Sequence, residues 1–381
     1  VDTRDRGNDA TEGPASLIHP DHGNGASLGA APRNATIQDV ADAAGVSRAA
    51  VSKVIRNAYG VSPQMRSKVE AAIARLSYRP RVAARAMRGP SHTLGIEIAQ
   101  VSNEFLTMIV RGALETLVGT PYQLVVAPVT APRETGNALQ SLADRQVDGI
   151  IAISPMVGET WLEALSDRIP VVIIGRHDVS THYDTVAGAD QSGTEQVMAH
   201  LFDLGHSRIT HLTIDNARDH VLVDDPTDWQ RSGREPHAIR HTVYTEQMRR
   251  RRLEPEVVFT GGDELEAQAS AAELLARREP PTAIFAGNDT LAMGALRAVA
   301  EAGLGPEDVS VVGYDDITMA SHPLVSLTSV DQSGTRIGAE AVRLLLERIA
   351  GRTESVQVEE QVHLRARGST APAPHRASTA E

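Results

Sequence analysis

Between residues 94 and 312 the chain repeats one pattern: a short apolar run, then a longer stretch whose apolar residues recur at helical spacing. The runs fall at 94–98, 123–126, 149–153, 171–174, 209–214, 256–259, 283–286 and 309–312. Runs this short and this uniformly apolar suit strands buried on both faces, and helices between them would cover both faces of a parallel sheet. An α/β architecture follows. Eight strands over roughly 270 residues exceed one comfortable sheet, which predicts two lobes. A repeated word supports the division: Asp190-Gln191-Ser192-Gly193-Thr194 recurs as Asp331-Gln332-Ser333-Gly334-Thr335. Each copy follows a strand-like segment and precedes an amphipathic helix, so the two junctions are expected to be equivalent crossings between similar lobes.

A different pattern precedes the core. Thr36 begins a helix with Asp39 three residues on, the spacing of a capping box with Asp in place of Glu. Val40, Ala41 and Ala44 follow at helical spacing, Gly45 breaks the helix, and Ser47 is placed to cap a second helix over 48–55. Ser62 and Pro63 open a third, whose Met65, Val69, Ala72, Ile73 and Leu76 form an apolar face. Three short helices with a glycine turn between the first two describe a helix-turn-helix. Charge points to its partner. The chain carries a net −12, yet residues 34–90 hold ten Lys/Arg against three Asp/Glu. A small basic module joined to a large acidic body is the footprint of nucleic-acid binding.

Several classes are excluded or demoted. Without cysteine there is no disulfide, thiolate metal site or thiol nucleophile. No apolar run approaches a membrane span, and the polar, glycine-rich start lacks the apolar core of a signal peptide. The cytoplasm is the expected location. No G-x-S-x-G elbow joins an apolar run to a helix, no P-loop occurs, and no cofactor is expected. His237 and His241 stand four apart on an expected helix, but Ala238 replaces the Glu of a zinc protease, so they are read as surface histidines. A non-enzymatic protein is expected.

Further words complete an ordered set. Ala35-Thr36-Ile37-Gln38-Asp39-Val40-Ala41, Ala44-Gly45-Val46-Ser47, Val51-Ser52-Lys53-Val54 and Tyr78-Arg79-Pro80 occupy the basic module. Arg145-Gln146-Val147-Asp148-Gly149-Ile150, Leu204-Gly205-His206, Gly287-Asn288-Asp289 and Val309-Ser310-Val311-Val312-Gly313-Tyr314-Asp315-Asp316 punctuate the body. Together they resemble the LacI/GalR repressors over nearly all of residues 35–368. The resemblance implies an N-terminal all-α helix-turn-helix domain plus hinge helix. A two-lobed α/β core like a type I periplasmic binding protein, with parallel sheets, would follow. The expected divisions are a disordered tail at 1–33, the DNA-binding domain at 34–79, the hinge at 80–90, the core at 91–368 and a second tail at 369–381. Lobe 1 would comprise about 91–189 and 333–351, lobe 2 about 190–331 and 352–368.

The function so implied is a ligand-responsive transcriptional regulator, a repressor, bound as a homodimer to a near-palindromic double-stranded DNA operator. Whether dimers pair into tetramers stays open. In a helix-turn-helix the N-terminal residues of the second helix face the major groove; here these are Arg48, Ala49 and Ala50, with Lys53 one turn later. Thr36, Ser47 and Ser52 complete the expected contacts. The family has Thr and Arg where Ala50 and Lys53 stand, so base preference is expected to differ. Arg85 and Met87 lie in the hinge, and Met87 takes the place of the family's minor-groove leucine wedge. The effector implied is a carbohydrate, with contacts at Asn103, Phe105, Arg176, Asp190, Arg240, Asp289 and Gln332, Arg240 and Asp289 foremost. The plain alternative for each polar one is helix capping or a surface ion pair. Val243-Tyr244 and a long polar loop at 216–237 depart from the family pattern. The competing reading, a solute-binding protein without specific DNA binding, accounts for the body but not for the basic module.

Overall fold

The computed structural model describes residues 35–55, 58–78, 90–129, 134–214 and 233–374. They fall in two units that divide between Arg81 and Val82. The expected tail at 1–33, the hinge up to residue 89 with Arg85 and Met87, most of the loop at 216–237 and the end of the chain from 375 lie outside those residues.

In the first unit, α1 (Ile37–Ala44), α2 (Arg48–Ile55) and α3 (Pro63–Arg75) surround a small core. The capping box forms: Thr36 Oγ1 accepts from the Asp39 N–H, and the Asp39 carboxylate accepts from the Thr36 N–H at 2.7 Å. Gly45 then ends α1 at φ 65°, a backbone conformation that a Cβ disfavours, so the chain can turn directly into α2. Val40, Ala41, Val51, Val54, Val69 and Ala72 are buried together, one face from each helix.

Two six-stranded sheets build the second unit. The first has the order β11-β5-β4-β3-β1-β2, with β1 (Thr93–Ile98), β2 (Gln123–Pro128), β3 (Gly149–Ile153), β4 (Val171–Ile174), β5 (Asp184–Gly188) and β11 (Gln357–Glu360). Every pairing in it is parallel. The second has the order β12-β10-β9-β8-β6-β7, with β6 (Ile209–Ile214), β7 (Glu256–Thr260), β8 (Ala283–Ala286), β9 (Ser310–Asp315), β10 (Thr328–Asp331) and β12 (His363–Arg365). Only β12 is antiparallel. Helices α4 (Glu104–Leu117), α5 (Thr135–Asp144), α6 (Glu159–Ser166) and α11 (Gly334–Ile349) flank the first sheet. The second carries α7 (Asp190–Asp203), α8 (Pro236–Arg250), α9 (Glu264–Leu275) and α10 (Asp289–Glu301).

The chain crosses between lobes where the repeated word predicts, before Asp190 and after Asp331. The last return comes later than the expected residue 352. β11 still pairs with β5 in the first sheet, and only β12 joins the second. The cause is electrostatic. The buried Asp184 carboxylate holds Arg348 at 3.0 Å, Arg352 at 2.6 Å and the Val356 N–H at 2.8 Å, which ties the turn after α11 to β5.

Helices α4 and α11 pack almost backbone to backbone. A Cβ on Gly338 would stand 1.9 Å from the Ile109 carbonyl oxygen, and one on Gly112 1.9 Å from that of Thr335. Both obstacles are main chain, so neither can rotate away. Gly338→Ala is expected to cost about 1–3 kcal/mol of core stability, the usual range for overpacking. A urea midpoint equal to that of the parent would refute this packing.

Candidate functional site

The core's strands end on a common cleft, where side chains from both lobes and from the crossings enclose a cavity of about 330 Å³. Ligand sites of open α/β sheets characteristically lie outside the carboxyl ends of the strands, and this volume is at the lower end of the range for small-molecule sites, roughly 300–1,000 Å³.

Six of the seven expected contacts line it: Asn103, Phe105, Arg176, Asp190, Arg240 and Gln332. Asp190 is the first residue of α7, placed there by the first crossing. Its Oδ1 accepts from Arg240 Nε at 2.7 Å, and its Oδ2 lies 2.9 Å from His177 Nε2. Arg240, on α8, also donates from Nη1 to the Gly287 carbonyl at 2.7 Å and lies 3.7 Å over the Tyr314 ring. Burial alone would raise the Asp190 pKa, but Arg240 and the His177 hydrogen bond outweigh it and hold the carboxyl below its usual range. Phe105 packs against the cores of both lobes. Asn103 caps α4, its carbonyl accepting the Leu106 N–H at 3.3 Å.

Two expectations need correction. Asp289 does not reach the cavity; its neighbour Asn288 does. Fully buried, Asp289 accepts from Ser329 Oγ at 2.6 Å and from the Ile317 N–H at 2.9 Å, so it fixes the turn after β9. Burial, then the nearby Asp315, push its pKa up. His237 is no surface histidine. It lines the cavity, with Nδ1 3.4 Å from Thr213 Oγ1, and burial holds it neutral at a pKa of about 3. His241 stacks 6.3 Å from His211, between centroids. Arg176 serves as wall: its guanidinium pairs with Asp178 at 2.6 Å and donates to the carbonyls of Pro155 and Val157 at 3.1 and 2.8 Å.

Asp315 was missed. It lines the cavity at the end of β9, and Gln332 Nε2 donates to its Oδ1 at 2.6 Å. Burial pushes its pKa up to about 7 against the lowering pull of Arg240. The signal was present in Gly313-Tyr314-Asp315-Asp316, where two adjacent acids after a buried strand are more than a sheet needs.

In the first unit, α2 turns Val51 and Val54 inward and leaves Arg48, Ala49 and Lys53 exposed, with Ala50 and Ser52 half-buried beside them. Ser47 Oγ accepts the Ala50 N–H at 3.2 Å and so starts the helix. The exposed tip is cationic, at the end of the helix whose free N–H groups favour anions.

Residues 36–81 match the model of the bacterial regulatory proteins of the lacI family, and residues 198–370 match a periplasmic binding protein-like domain. The ribose operon repressor of Escherichia coli (strain K12) is 31% identical over 332 residues, covering 83% of this chain and 93% of that protein. The chain belongs to the LacI family. It is a ligand-responsive transcriptional repressor, not an enzyme. The lac repressor dimer bound to operator and the anti-inducer ONPF superposes with a TM-score of 0.71 at 26% identity, over 89% of this chain and 100% of that one. A complex of the transcriptional regulator CelR with cellobiose gives 0.62 at 29% identity, over 88% and 99%.

Asp315 sets a pH dependence for this family member. The folded chain holds its proton up to about pH 7, whereas the unfolded chain releases it near the ordinary value of 3.8. Its contribution to stability is therefore complete below about pH 4 and is lost as pH rises to about 7. Asp315→Asn is expected to flatten that stretch of the stability curve in urea titrations; an unaltered slope would count against a buried acid here.

Proposed function

We propose that this repressor reads a near-palindromic operator as a homodimer and that a carbohydrate in the interlobe cavity shifts its DNA affinity. The observation that carries the reading is the presence, in one chain, of an exposed cationic tip on α2 and a cavity into which the lobe crossings turn polar side chains. Arg48 is assigned to bidentate guanine recognition and Lys53 to the same strand or its phosphates. Ala49 and Ala50 offer apolar contact to thymine methyls, while Thr36, Ser47 and Ser52 position the helix on the backbone. Arg85 and Met87 extend the contact into the minor groove, Met87 as the wedge.

The dimer is supported by a group of apolar residues that the first lobe leaves in water. Val118, just after α4, is 81% exposed and Leu114 on α4 50%; Val125 and Val126 stand open on the edge strand β2. A two-fold dimer matches a two-fold operator, and no further association is needed to read one. Among the described residues no helix is long and apolar enough to cross a membrane, and a cytoplasmic location follows from the DNA-binding role.

Asn103, Phe105, Asp190, Arg240, Asp315 and Gln332 are assigned to the effector, with Arg176 as wall. Lobe closure around the effector alters the dimer, and the coupling is reciprocal: operator binding changes effector affinity by the same factor.

Genomic fragments retained by the purified protein at physiological salt should be enriched in one near-palindromic site; no enrichment, with or without cell metabolites, would overturn the reading. On that site Arg48→Ala should lose about 1–3 kcal/mol of specific affinity with nonspecific binding little changed. Met87→Ala should likewise weaken specific binding alone, and equal specific affinity would remove the wedge.

A further inference from the structure

Strand β1 reads Thr-Leu-Gly-Ile-Glu-Ile, with one carboxyl in a run that is otherwise built for burial. It runs between β3 and β2, and Glu97 stands opposite Ala152 on one and Ala127 on the other. A Cβ on Gly95 would stand 2.9 Å from Leu142 of α5, so Glu97, two residues on, shares the face that α5 covers. The side chain is completely buried. Its Oε2 accepts the Ile153 N–H at 3.2 Å, and its Oε1 has no hydrogen-bond partner among the described residues.

No counter-charge is at hand. β2, β3 and β4 carry no ionisable side chain. On α5, Asp144 is exposed and holds Gln140, and Glu134 stands half-buried ahead of the helix. On α6, Glu163 accepts from Ser180 and Glu159 acts on Tyr183. After β4, Arg176 is held by Asp178 and two carbonyls. A carboxylate with an unmet oxygen in hydrocarbon is costly, so the acid keeps its proton. Burial lifts its pKa to about 8 from 4.5, and the Ile153 N–H lowers it only in part.

We propose that Glu97 is a proton switch in the first lobe: β1 and α5 close over its acid form, and loss of the proton favours an opened lobe. Two neighbours connect it to surfaces that matter. Ile153, whose N–H it holds, lines the cavity. Ala127, its partner on β2, follows the exposed Val125 and Val126. This second link rests on the dimer reading of that edge. An opened lobe ionises near 4.5 and the closed one near 8. The closed form therefore loses ground by about tenfold per pH unit between those values and no further above them.

Hydrogen exchange followed by mass spectrometry on the full chain reads the opening directly. From about pH 6 to about pH 8, opening of β1 and α5 peptides in the parent should rise about tenfold per unit relative to Glu97→Gln, which keeps the shape without the charge. Glu97→Met, apolar and of similar size, supplies the same comparison if the amide does not fold. Equal slopes in parent and variant overturn the switch. In graded urea the dimer, followed by sedimentation, should dissociate at a lower concentration at the higher pH, and Glu97→Gln should shrink that difference. An equal pH shift in parent and variant overturns the reach to β2. A chain already monomeric without urea overturns the dimer reading, while the exchange slopes still decide the switch.

Discussion

A carboxylate and a guanidinium shut away from water hold the centre of this core. Asp190 and Arg240 are both almost fully buried and 2.7 Å apart. Neither charge could stand there alone, since breaking such a pair by removing one partner typically costs about 3–5 kcal/mol. Each group is oriented by more than the other. His177, on the loop after β4, approaches the carboxylate from the first lobe, while the Gly287 carbonyl and the Tyr314 ring hold the guanidinium from the second. Such a pair contributes less net stability than specificity of arrangement. It fixes α7 at the crossing and α8 beside it, and so fixes the cavity's polar wall.

The cavity's lining carries backbone strain on both sides. Asp315 has φ 117° and Ser154 φ 46°, both outside the ordinary range for residues with a Cβ, and both line the cavity. Ser333, next to Gln332, has φ 54°. Each costs about 1–3 kcal/mol and persists only where the surroundings over-determine it. Here the surroundings are visible: the Asp289 carboxylate locks the turn after β9, and the Asp331 carboxylate accepts the Ser333 N–H at 2.8 Å. Side chains aimed by a strained but braced backbone are already in place before a ligand arrives.

Much of the fold could be read from the apolar runs, because a strand buried on both faces must be almost wholly apolar. The strands outside the eight apolar runs are those with few apolar residues: β5 and β10 were marked only as strand-like segments before the repeated word, β11 reads Gln-Val-Glu-Glu and lies at a sheet edge, and β12 has three residues. The lobe crossings were marked by their repeated word, yet nothing in the sequence around residue 352 announces that Asp184, far upstream, captures Arg348 and Arg352. The site was legible as a set of residue types and less so as a set of directions. Asp289 and Asp315 are both acids following buried strands. Which one turns toward the cleft depends on the positive φ at Asp315 and on the hydroxyl of Ser329, and spacing encodes neither. His237 was misjudged for a related reason: a helix face shows which residues lie together, not which of its faces borders a cleft.

The crossings have one more consequence, for the order in which the protein can fold as it is made. The first lobe's core includes Ile337, Val342, Leu344 and Leu345 of α11, and its sheet is closed at one edge by β11. None of these exists on the ribosome until the second lobe from α7 to β10 has been translated, which takes on the order of seven to thirty seconds at about 5–20 residues per second. Through that interval the apolar faces of β1 and α4 have no permanent cover. The second lobe is continuous from α7 to β10 and can form while the first one waits. Completion of the first lobe thus depends on a helix reaching back across a neighbour that itself still awaits β12, and chaperones that shield hydrocarbon have their natural window there.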